Sequence, residues 1–324
     1  MTGDAKGGQA SLIALDWGTS ALRAYLMDCD GVVLDARSSN CGIQNLPQPG
    51  EAGFEKAFSD IRACWPDGLP VIAGGMVGSA QGWKEAPYIL CPADFTQLAD
   101  ASVRVATGAG EDVVIAPGMI CRPDHGQPDV MRGEEIQIAG ALAQNPRLGV
   151  NAEFLLPGTH SKWVRVSRGR VVDFTTYMTG ELFSVLARHS ILGRLMSETP
   201  AERNATAAAF VEGVAASAAE PDRLQHLLFG VRTRGLTGDL AGNVLSEYLS
   251  GLLIGNEMAA GLGRRTDPDA PLILIGEQAL CDRYQKALRV LGGPPAEYID
   301  DASPSGLYLV ARKVGLLKAA SLSG

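Results

Sequence analysis

Two short loops carry the strongest chemical signal in the sequence, because each places glycine and hydroxyl-bearing residues directly after an apolar segment. The first is DWGTS at residues 16–20, and the second is GTHSK at residues 158–162. Such loops bind phosphate oxygens through backbone N–H groups and hydroxyls, and a carboxylate such as Asp16 holds Mg²⁺ directly or through water. A tight hairpin turn explains one such loop equally well. Two copies instead predict that both loops grip one polyphosphate, with His160, Ser161 and Lys162 as candidate phosphate or substrate donors.

A pair of adjacent carboxylates supplies a candidate general base. Glu134 and Glu135 follow Arg132 at the predicted start of a helix. Complementarity to the helix dipole explains acids at this place without any function, and proton abstraction from a substrate hydroxyl is the functional alternative. Adjacent helical side chains diverge by about 100°, so only one can face a substrate. We prefer Glu134 and keep Glu135 as the alternative, with Arg132 as a candidate partner for a substrate carboxylate or phosphate.

A glycine-rich segment at residues 71–84 is typical of a strand that runs into an anion or sugar site. Trp83 in this segment either stacks on a sugar ring or packs in the core. A substrate acid also needs a cation or free backbone donors, for which Lys84 and the backbone of residues 75–79 are candidates. The candidate substrate contacts are therefore Gly75, Met76, Ser79, Trp83, Lys84, Arg132 and His160.

The elements around the two loops repeat along the chain. Residues 11–38 predict a strand, the first loop, a second strand, a turn and a third strand, and residues 154–175 repeat this layout. The repeat predicts two related lobes, an N-terminal lobe at residues 1–148 and a C-terminal lobe at residues 149–324. Strands and helices alternate in both halves, which indicates an α/β fold.

Helical patterns fill the remaining sequence. We expect helices at residues 134–143, after a capping box at residues 199–202, at residues 239–262, at residues 282–291, and from Ser303-Pro304 onward. Gly251 and Gly255 lie four residues apart in one of these helices. Since glycine costs a helix about 1 kcal/mol relative to alanine, the pair predicts a close neighbour, either a second helix or a bound nucleotide.

Composition excludes several classes of protein. The 324 residues carry 28 basic and 36 acidic side chains, a net charge of −8, so there is no basic field to collect nucleic acid. No apolar run approaches the roughly 18 residues of a membrane span. Six scattered cysteines without CxxC pairs predict buried free thiols in a reducing compartment, and residues 1–10 predict a frayed terminus without a signal peptide. We expect a cytoplasmic protein, and a homo-oligomer remains open.

Six motifs together resemble the 2-dehydro-3-deoxygalactonokinase family. They are DWGTSALRA (16–24), GGMVGSAQGWKEAPY (74–88), MRGEEIQ (131–137), PGTHSKW (157–163), MTGELFSVL (178–186) and LSGLLIG (249–255). The paired loops resemble the wider actin, hexokinase and heat-shock chaperone superfamily. The resemblance implies two related ribonuclease-H-like lobes of the actin/hexokinase type around a central ATP and substrate cleft, with the final helix crossing back. It also implies transfer of phosphate from ATP, with Mg²⁺, to the 6-hydroxyl of 2-dehydro-3-deoxy-D-galactonate in galactonate catabolism.

The resemblance also assigns roles to single residues. Those for the ATP phosphates are Asp16, Gly18, Thr19 and Ser20 in the first loop and Gly158, Thr159 and Ser161 in the second. Gly276 would open the adenosine loop, with Glu277 beside it. Leu156 stands where many members of the superfamily carry an acid, so the second loop is not expected to bind the metal.

Two other functions remain open at this point. In exopolyphosphatases of the superfamily, a segment similar to Gly133-Glu134-Glu135 activates water, which would make the protein a phosphohydrolase. A sugar-sensing regulator without catalysis is the other, although only about ten residues precede the first strand, where such regulators usually carry a basic DNA-binding segment.

Overall fold

The computed structural model of the protein describes residues 8–124 and 126–317. Its strands are β1 (Ala10–Trp17), β2 (Leu22–Asp28), β3 (Val33–Ser39), β4 (Val71–Gly74), β5 (Tyr88–Leu90), β6 (Val103–Ala106), β7 (Asp112–Ile115), β8 (Gly118–Cys121), β9 (Asp129–Met131), β10 (Asn151–Leu156), β11 (Ser161–Ser167), β12 (Arg170–Tyr177), β13 (Leu272–Ile275) and β14 (Ala296–Ile299). Its α-helices are α1 (Glu51–Ile61), α2 (Phe95–Asp100), α3 (Glu134–Gln144), α4 (Thr179–His189), α5 (Arg203–Ala219), α6 (Leu224–Thr237), α7 (Leu245–Gly263), α8 (Gln278–Val290) and α9 (Ser303–Val314).

The described residues divide into two compact units. The first comprises residues 8–151 without residue 125, residues 165–174 and residues 301–317, and the second comprises residues 152–164 and 175–300. Neither unit is continuous in sequence. The lobe boundary predicted between residues 148 and 149 stays a prediction, because this division into units does not test it.

The first unit is built on a six-stranded sheet with the order β3-β2-β1-β4-β7-β6. Strand β1 is antiparallel to β2, which sets Asp16 opposite Arg23, and parallel to β4, which sets Asp16 opposite Gly74. The carboxyl ends of parallel strands meet at the same edge of a sheet. The first predicted loop and the glycine-rich segment after β4 therefore lie side by side.

Aromatic packing supports the edge of the sheet where β1 and β4 end. Trp17 is fully buried, and its ring lies 5.4 Å from Phe54 and 5.9 Å from Trp83. Phe54 and Trp83 stack with their centroids 5.8 Å apart. Large rings packed in this way bury much apolar area and add specific contacts. The DWGTS segment is thus anchored through Trp17.

The last helix packs in the first unit against α3. A Cβ at Gly140 would clash with the carbonyl of Ala302, and one at Gly306 would clash with the carbonyl of Ile136. Contact between backbones therefore depends on both glycines. The predicted helices at residues 134–143 and from Ser303-Pro304 are confirmed, the latter with its proline in the first turn.

A five-stranded sheet repeats the opening strands of the first sheet. It has the order β12-β11-β10-β13-β14, with β10 parallel to β13 and β13 parallel to β14. The strand–loop–strand layout predicted for residues 154–175 is confirmed in β10, β11 and β12. The α/β class is confirmed in both units.

Helices α5 and α7 pack with their backbones in contact. A Cβ at Gly251 would clash with the carbonyl of Phe210, and one at Gly255 would lie 2.7 Å from the Cα of Val214. The neighbour predicted from these two glycines is therefore a helix, and the nucleotide alternative is wrong.

Three predicted helix starts are wrong. The capping box at residues 199–202 does not form, because Glu202 is extended, with φ −62° and ψ 137°, and α5 begins only at Arg203. The helix expected from Asp239 begins at Leu245, since a 3₁₀ turn at Gly242–Val244 precedes it. The helix expected at residues 282–291 begins earlier, at Gln278, and ends at Val290.

The cysteines follow the prediction only in part. All six are free, but Cys29 and Cys64 are exposed and Cys41 is half-buried, so the expectation of burial holds for Cys91, Cys121 and Cys281 alone. The frayed terminus predicted at residues 1–10 falls largely outside the described residues, and Ala10 already belongs to β1. No helix in the described part of the chain is long and apolar enough to cross a membrane.

Candidate active site

The first loop is held by neighbouring backbone and presents two free N–H groups. The N–H of Gly18 donates to Ala21 across the turn at 2.9 Å, and the N–H groups of residues 43 and 44 donate to the carbonyls of Gly18 and Thr19, both at 3.1 Å. Within the described ranges, the N–H groups of Thr19 and Ser20 donate to no protein acceptor. Free donors in a fixed loop suit phosphate oxygens.

Asp16 ends the first strand in a polar but largely enclosed position. A quarter of its side chain is exposed, and its carboxylate lies 3.9 Å from Arg23 Nη1. Burial raises the pKa of Asp16 to about 6; Arg23 and a hydrogen bond with Ser303 oppose this rise, and the nearby Asp301 and Glu134 add to it. A carboxylate held at this cost near other acids is typical of a functional site.

Two glycines bring the candidate base close to the first loop. Gly75 has φ +91°, and a Cβ there would lie 2.8 Å from the carbonyl oxygen of Trp17. Gly133 has φ +113°, and a Cβ there would lie 3.4 Å from the Cα of Gly75. Side chains disfavour these conformations and would separate the segments. The glycine-rich segment, the first loop and the start of α3 therefore converge.

The two carboxylates at the start of α3 have different environments. Glu134 is half-buried and accepts a hydrogen bond from the backbone N–H of Arg132 at 3.0 Å. Glu135 is fully buried, and its carboxyl group accepts from the N–H of Gly133 at 2.8 Å. Burial, with Glu134 beside it, raises the pKa of Glu135 to about 8. Of the two, only Glu134 is both near Asp16 and open to solvent.

Arg132 is a buried cation with unused donors. Only 8% of the residue is exposed, its Nη2 donates to the carbonyl of Ala86 at 2.8 Å, and its guanidinium lies 4.3 Å from the ring centre of Tyr88. Its Nε and Nη1 have no hydrogen-bond partner, and no acid among the described residues forms an ion pair with it. The buried hydroxyl of Ser79 is also unpartnered. Buried polar groups left in this state are costly unless a ligand completes them.

The other residues of the glycine-rich segment differ in exposure. Trp83 is 8% exposed and packs against Trp17 and Phe54, as in the core-packing alternative. Met76 lies half-buried in the 3₁₀ turn that follows β4, and Lys84 is exposed. Substrate contacts of these residues stay predictions.

The second loop also presents free backbone donors. In the described chain, the N–H groups of Gly158, Thr159 and His160 donate to no protein acceptor. The start of α4 holds the loop: the N–H of Glu181 donates to the carbonyl of Thr159 at 3.0 Å, and the side chain of Glu181 pairs with His160. Three successive free N–H groups form the kind of concave donor set that binds anions.

Ser161 and Lys162 are both buried. Ser161 is fully buried, and its hydroxyl lies 2.9 Å from that of Tyr284. Lys162 is only 5% exposed. Both residues were candidates as phosphate donors, and that role stays a prediction, with burial of the Ser161 hydroxyl favouring its backbone over its side chain.

The candidate adenosine loop lies next to the second phosphate loop. Gly276 follows β13, and a Cβ there would lie 3.3 Å from the carbonyl oxygen of Pro157. Glu277 is the N-cap of α8 and makes no side-chain capping bond. The N-terminus of a 13-residue helix thus begins close to the loop at residues 158–161.

Sequence reasoning missed residues that lie far along the chain. Asp301 and Ser303 adjoin Asp16, and Asp301 also accepts a hydrogen bond from Tyr25 at 2.6 Å. In the second unit, the carboxylate of Glu257 is bonded to Trp163, Thr179 and Tyr284. The signal for Glu257 was present, since it is the only charged residue at positions 248–262 of an apolar helix.

Comparison with known proteins agrees with this arrangement. A family model described as 2-keto-3-deoxy-galactonokinase matches residues 16–310. The chain belongs to this kinase family. The Escherichia coli (strain K12) protein named 2-dehydro-3-deoxygalactonokinase is 36% identical over 94% of the chain and 99% of its own length. A Rhizobium meliloti (strain 1021) protein named "Probable 2-dehydro-3-deoxygalactonokinase DgoK1" is 38% identical over 93% of the chain and 96% of its own length.

Solved structures extend the comparison from the kinase family to its fold. A crystal structure of a Sinorhizobium meliloti member matches with a TM-score of 0.84 at 37% identity, covering 94% of the chain and 99% of that protein. Component A of the (R)-2-hydroxyglutaryl-CoA dehydratase of Acidaminococcus fermentans matches with a TM-score of 0.50 at 12% identity, over 96% of the chain and all of that protein. This second likeness concerns the fold alone. The predicted two-lobed fold of the actin/hexokinase type is confirmed.

Proposed function

We propose that the protein is an ATP-dependent sugar-acid kinase, a transferase that phosphorylates the 6-hydroxyl of 2-dehydro-3-deoxy-D-galactonate in galactonate catabolism. The observation that carries the proposal is the match, over more than nine-tenths of the chain, to proteins named for this activity. The free donors of both loops and the acids near Asp16 suit the same chemistry.

Phosphoryl transfer depends mainly on positioning and on neutralising charge. The free N–H groups of Thr19 and Ser20, and those of Gly158, Thr159 and His160, would bind the phosphate oxygens of ATP. Gly276 and Glu277 would contact the adenosine. These local backbone donors can bind phosphate although the protein as a whole has a net charge of −8.

Asp16 fits a magnesium ion held largely by the nucleotide. Mg²⁺ usually binds one or two carboxylates together with substrate phosphates and water. Among the described residues, no group of three or more acids, histidines or cysteines could hold a metal by itself. Asp16 would supply one oxygen ligand, directly or through water, and the ion would neutralise charge on the transferring phosphoryl group.

Glu134 is proposed to accept the proton of the 6-hydroxyl. It is the accessible member of the carboxylate pair and lies close enough to Asp16 to raise that group's pKa. Burial of Glu135, with a pKa of about 8, keeps that carboxyl group largely protonated at neutral pH. A protonated acid cannot serve as a base.

Arg132 is proposed to bind the substrate's carboxylate. Its Nε and Nη1 are unpartnered, and Gly78 leaves room for the guanidinium, since a Cβ there would lie 2.9 Å from Nη1. Arginine suits the planar, two-oxygen geometry of a carboxylate. The nearby hydroxyl of Ser79 would donate a further bond to the same substrate.

ATP use and six unpaired cysteines support action in the cytoplasm. The proposed partners are small molecules, and no nucleic-acid partner is proposed. A homo-oligomer is compatible with this proposal, and sedimentation measures the oligomeric state directly.

A coupled assay of ADP release tests the function. The purified protein is mixed with ATP, Mg²⁺ and a small panel of 2-keto-3-deoxy acids and uncharged hexoses. We expect turnover only with the keto acids, fastest with the galactonate derivative. Phosphate release from ATP at the same rate without any sugar would instead identify a phosphohydrolase, and equal kcat/KM for an uncharged hexose would exclude the role of Arg132.

A further inference from the structure

A buried carboxylate in the second unit ties four separate elements together. Glu257 lies in the middle of α7 and is 2% exposed. One of its oxygens accepts from the indole N–H of Trp163 at 3.0 Å, and the other accepts from the hydroxyls of Thr179 at 2.5 Å and Tyr284 at 2.6 Å. No lysine or arginine of the described chain pairs with it.

The donors to Glu257 belong to the segments that shape the second phosphate loop. Thr179 is the first residue of α4, and Trp163 lies at the start of β11 directly after the loop. A Cβ at Gly180 would clash with the carbonyl of Gly158, and the next N–H, of Glu181, holds the carbonyl of Thr159. The position of the loop therefore follows the position of Thr179.

The directions of the protons extend this control to Ser161. The hydroxyl of Tyr284 has one proton, which it donates to Glu257. In the bond between Tyr284 and Ser161, the serine must then be the donor. The single proton of the Ser161 hydroxyl is directed inward, so the loop offers an outside ligand its backbone N–H groups.

Stability alone is a poor explanation for a carboxylate at this place. A buried charge without a cation costs desolvation, and apolar residues of similar volume usually serve as well or better. Three hydrogen bonds compensate the carboxylate here, and each fixes a different element around one loop. A role in fixing the geometry of the second phosphate loop accounts for the desolvation cost of this carboxylate.

We propose that Glu257 is a positioning residue for nucleotide phosphates: it fixes Ser161 through Tyr284, and Gly158 and Thr159 through Thr179. It does not touch ATP itself. The inference rests on the proposed function, because that function assigns the second loop to ATP.

Two substitutions test this role. Glu257→Gln keeps the size of the side chain but replaces one acceptor oxygen with an amide donor. With the remaining oxygen accepting from Trp163, the amide N–H2 faces Tyr284 and reverses the proton direction there. Tyr284→Phe removes only the hydroxyl and leaves the ring packed. Glu153→Gln is the matched control, since Glu153 is also buried in the second unit and pairs with Arg265 at 2.8 Å, but lies in the first half of β10, before the loop.

The primary measurement is calorimetric binding of a non-hydrolysable ATP analogue and of adenosine to each folded variant. We expect both test substitutions to weaken the analogue about tenfold, the effect of one well-placed hydrogen bond, with adenosine unchanged. In the kinase assay, KM for ATP rises and KM for the sugar acid does not. Glu153→Gln should lower the melting temperature without changing either affinity.

Unchanged binding of the analogue by Tyr284→Phe, or equal weakening by Glu153→Gln, would overturn the positioning role. If Glu257→Gln fails to fold, Tyr284→Phe decides alone. Failure of the proposed function is separate, because the unsubstituted protein would then show no transfer to a sugar acid whatever the variants do.

Discussion

Replacing Asp16 with asparagine is expected to lower kcat strongly while making the folded protein more stable at neutral pH. The two effects have one cause, since burial and the nearby Asp301 and Glu134 disfavour the charged carboxylate that would hold Mg²⁺. Asparagine keeps the size and a hydrogen-bonding oxygen but removes the charge. Loss of a charge-stabilising group should lower kcat by roughly 10²-fold or more.

The expected gain in stability follows from the pKa of Asp16. A folded-state pKa of about 6, against the ordinary value of 3.8, corresponds to about 3 kcal/mol at about 1.4 kcal/mol per unit. A quarter of the side chain reaches water, and solvent screening reduces the expected gain to about 1–2 kcal/mol. For a chain of this size that is an increase of about 1.5–3 °C in the melting temperature.

The sign of the pH dependence makes this prediction specific. Between pH 4 and 6 the folded state keeps a proton that the unfolded state has lost, so the contribution of Asp16 to stability falls as pH rises through this window. The gain from Asp16→Asn should therefore be absent near pH 3.5 and complete above pH 6 to 7.

Melting curves of the two proteins across this pH range provide the assay. Asp35→Asn is the control of opposite sign, because a hydrogen bond from Trp65 lowers the pKa of Asp35. That substitution should cost stability at neutral pH, and its effect should fade in acid. A stability gain from Asp16→Asn that is equal at pH 4 and pH 7, or a loss at pH 7, would refute the electrostatic reasoning.

Three further predictions concern other parts of the molecule. Glu134→Gln should lower kcat by roughly 10²–10⁴-fold, and Glu135→Gln by much less, in steady-state assays at pH 7; the reverse order would make Glu135 the base. Arg132→Met should raise KM for the sugar acid by roughly tenfold or more and leave KM for ATP unchanged, which separates a substrate contact from general damage. Gly251→Ala should destabilise the fold, since its Cβ would clash with Phe210, whereas Gly230→Ala in open space on α6 should raise the unfolding free energy by about 0.5–1 kcal/mol; chemical denaturation compares them.

Local patterns were enough to predict the elements that carry the site. The apolar run before each loop predicted β1 and β10, and the sequence around residues 134–143 predicted α3, because these signals lie within a few residues of one another. The capping-box prediction at residues 199–202 was wrong because it also used only local sequence. A short polar motif has no information about the extended backbone at Glu202 that delays the helix.

Contacts between distant segments could not be predicted in this way. Asp301 and Ser303 reach Asp16 only because α9 packs on α3 and β1, which brings the last described helix to the first strand. The sequence made Arg132 a candidate partner for a substrate anion, but its burial beside Tyr88 depends on the fold of other segments. The local sequence around Asp16 or Arg132 does not determine which distant residues surround it.

The repeat predicted from sequence holds for the strands and not for the chemistry of the acids. In the first unit the carboxylate of Asp16 lies at the strand end beside the loop and is partly exposed, so it can reach a metal. In the second unit the equivalent place is filled by Leu156, which is buried, and the nearby acid is Glu257 from a helix. Its oxygens are committed to Trp163, Thr179 and Tyr284, so that carboxylate can shape its loop but cannot bind the ion. On the proposed roles, the two copies have diverged: Asp16 would bind the ion, whereas Glu257 would support the backbone of its loop.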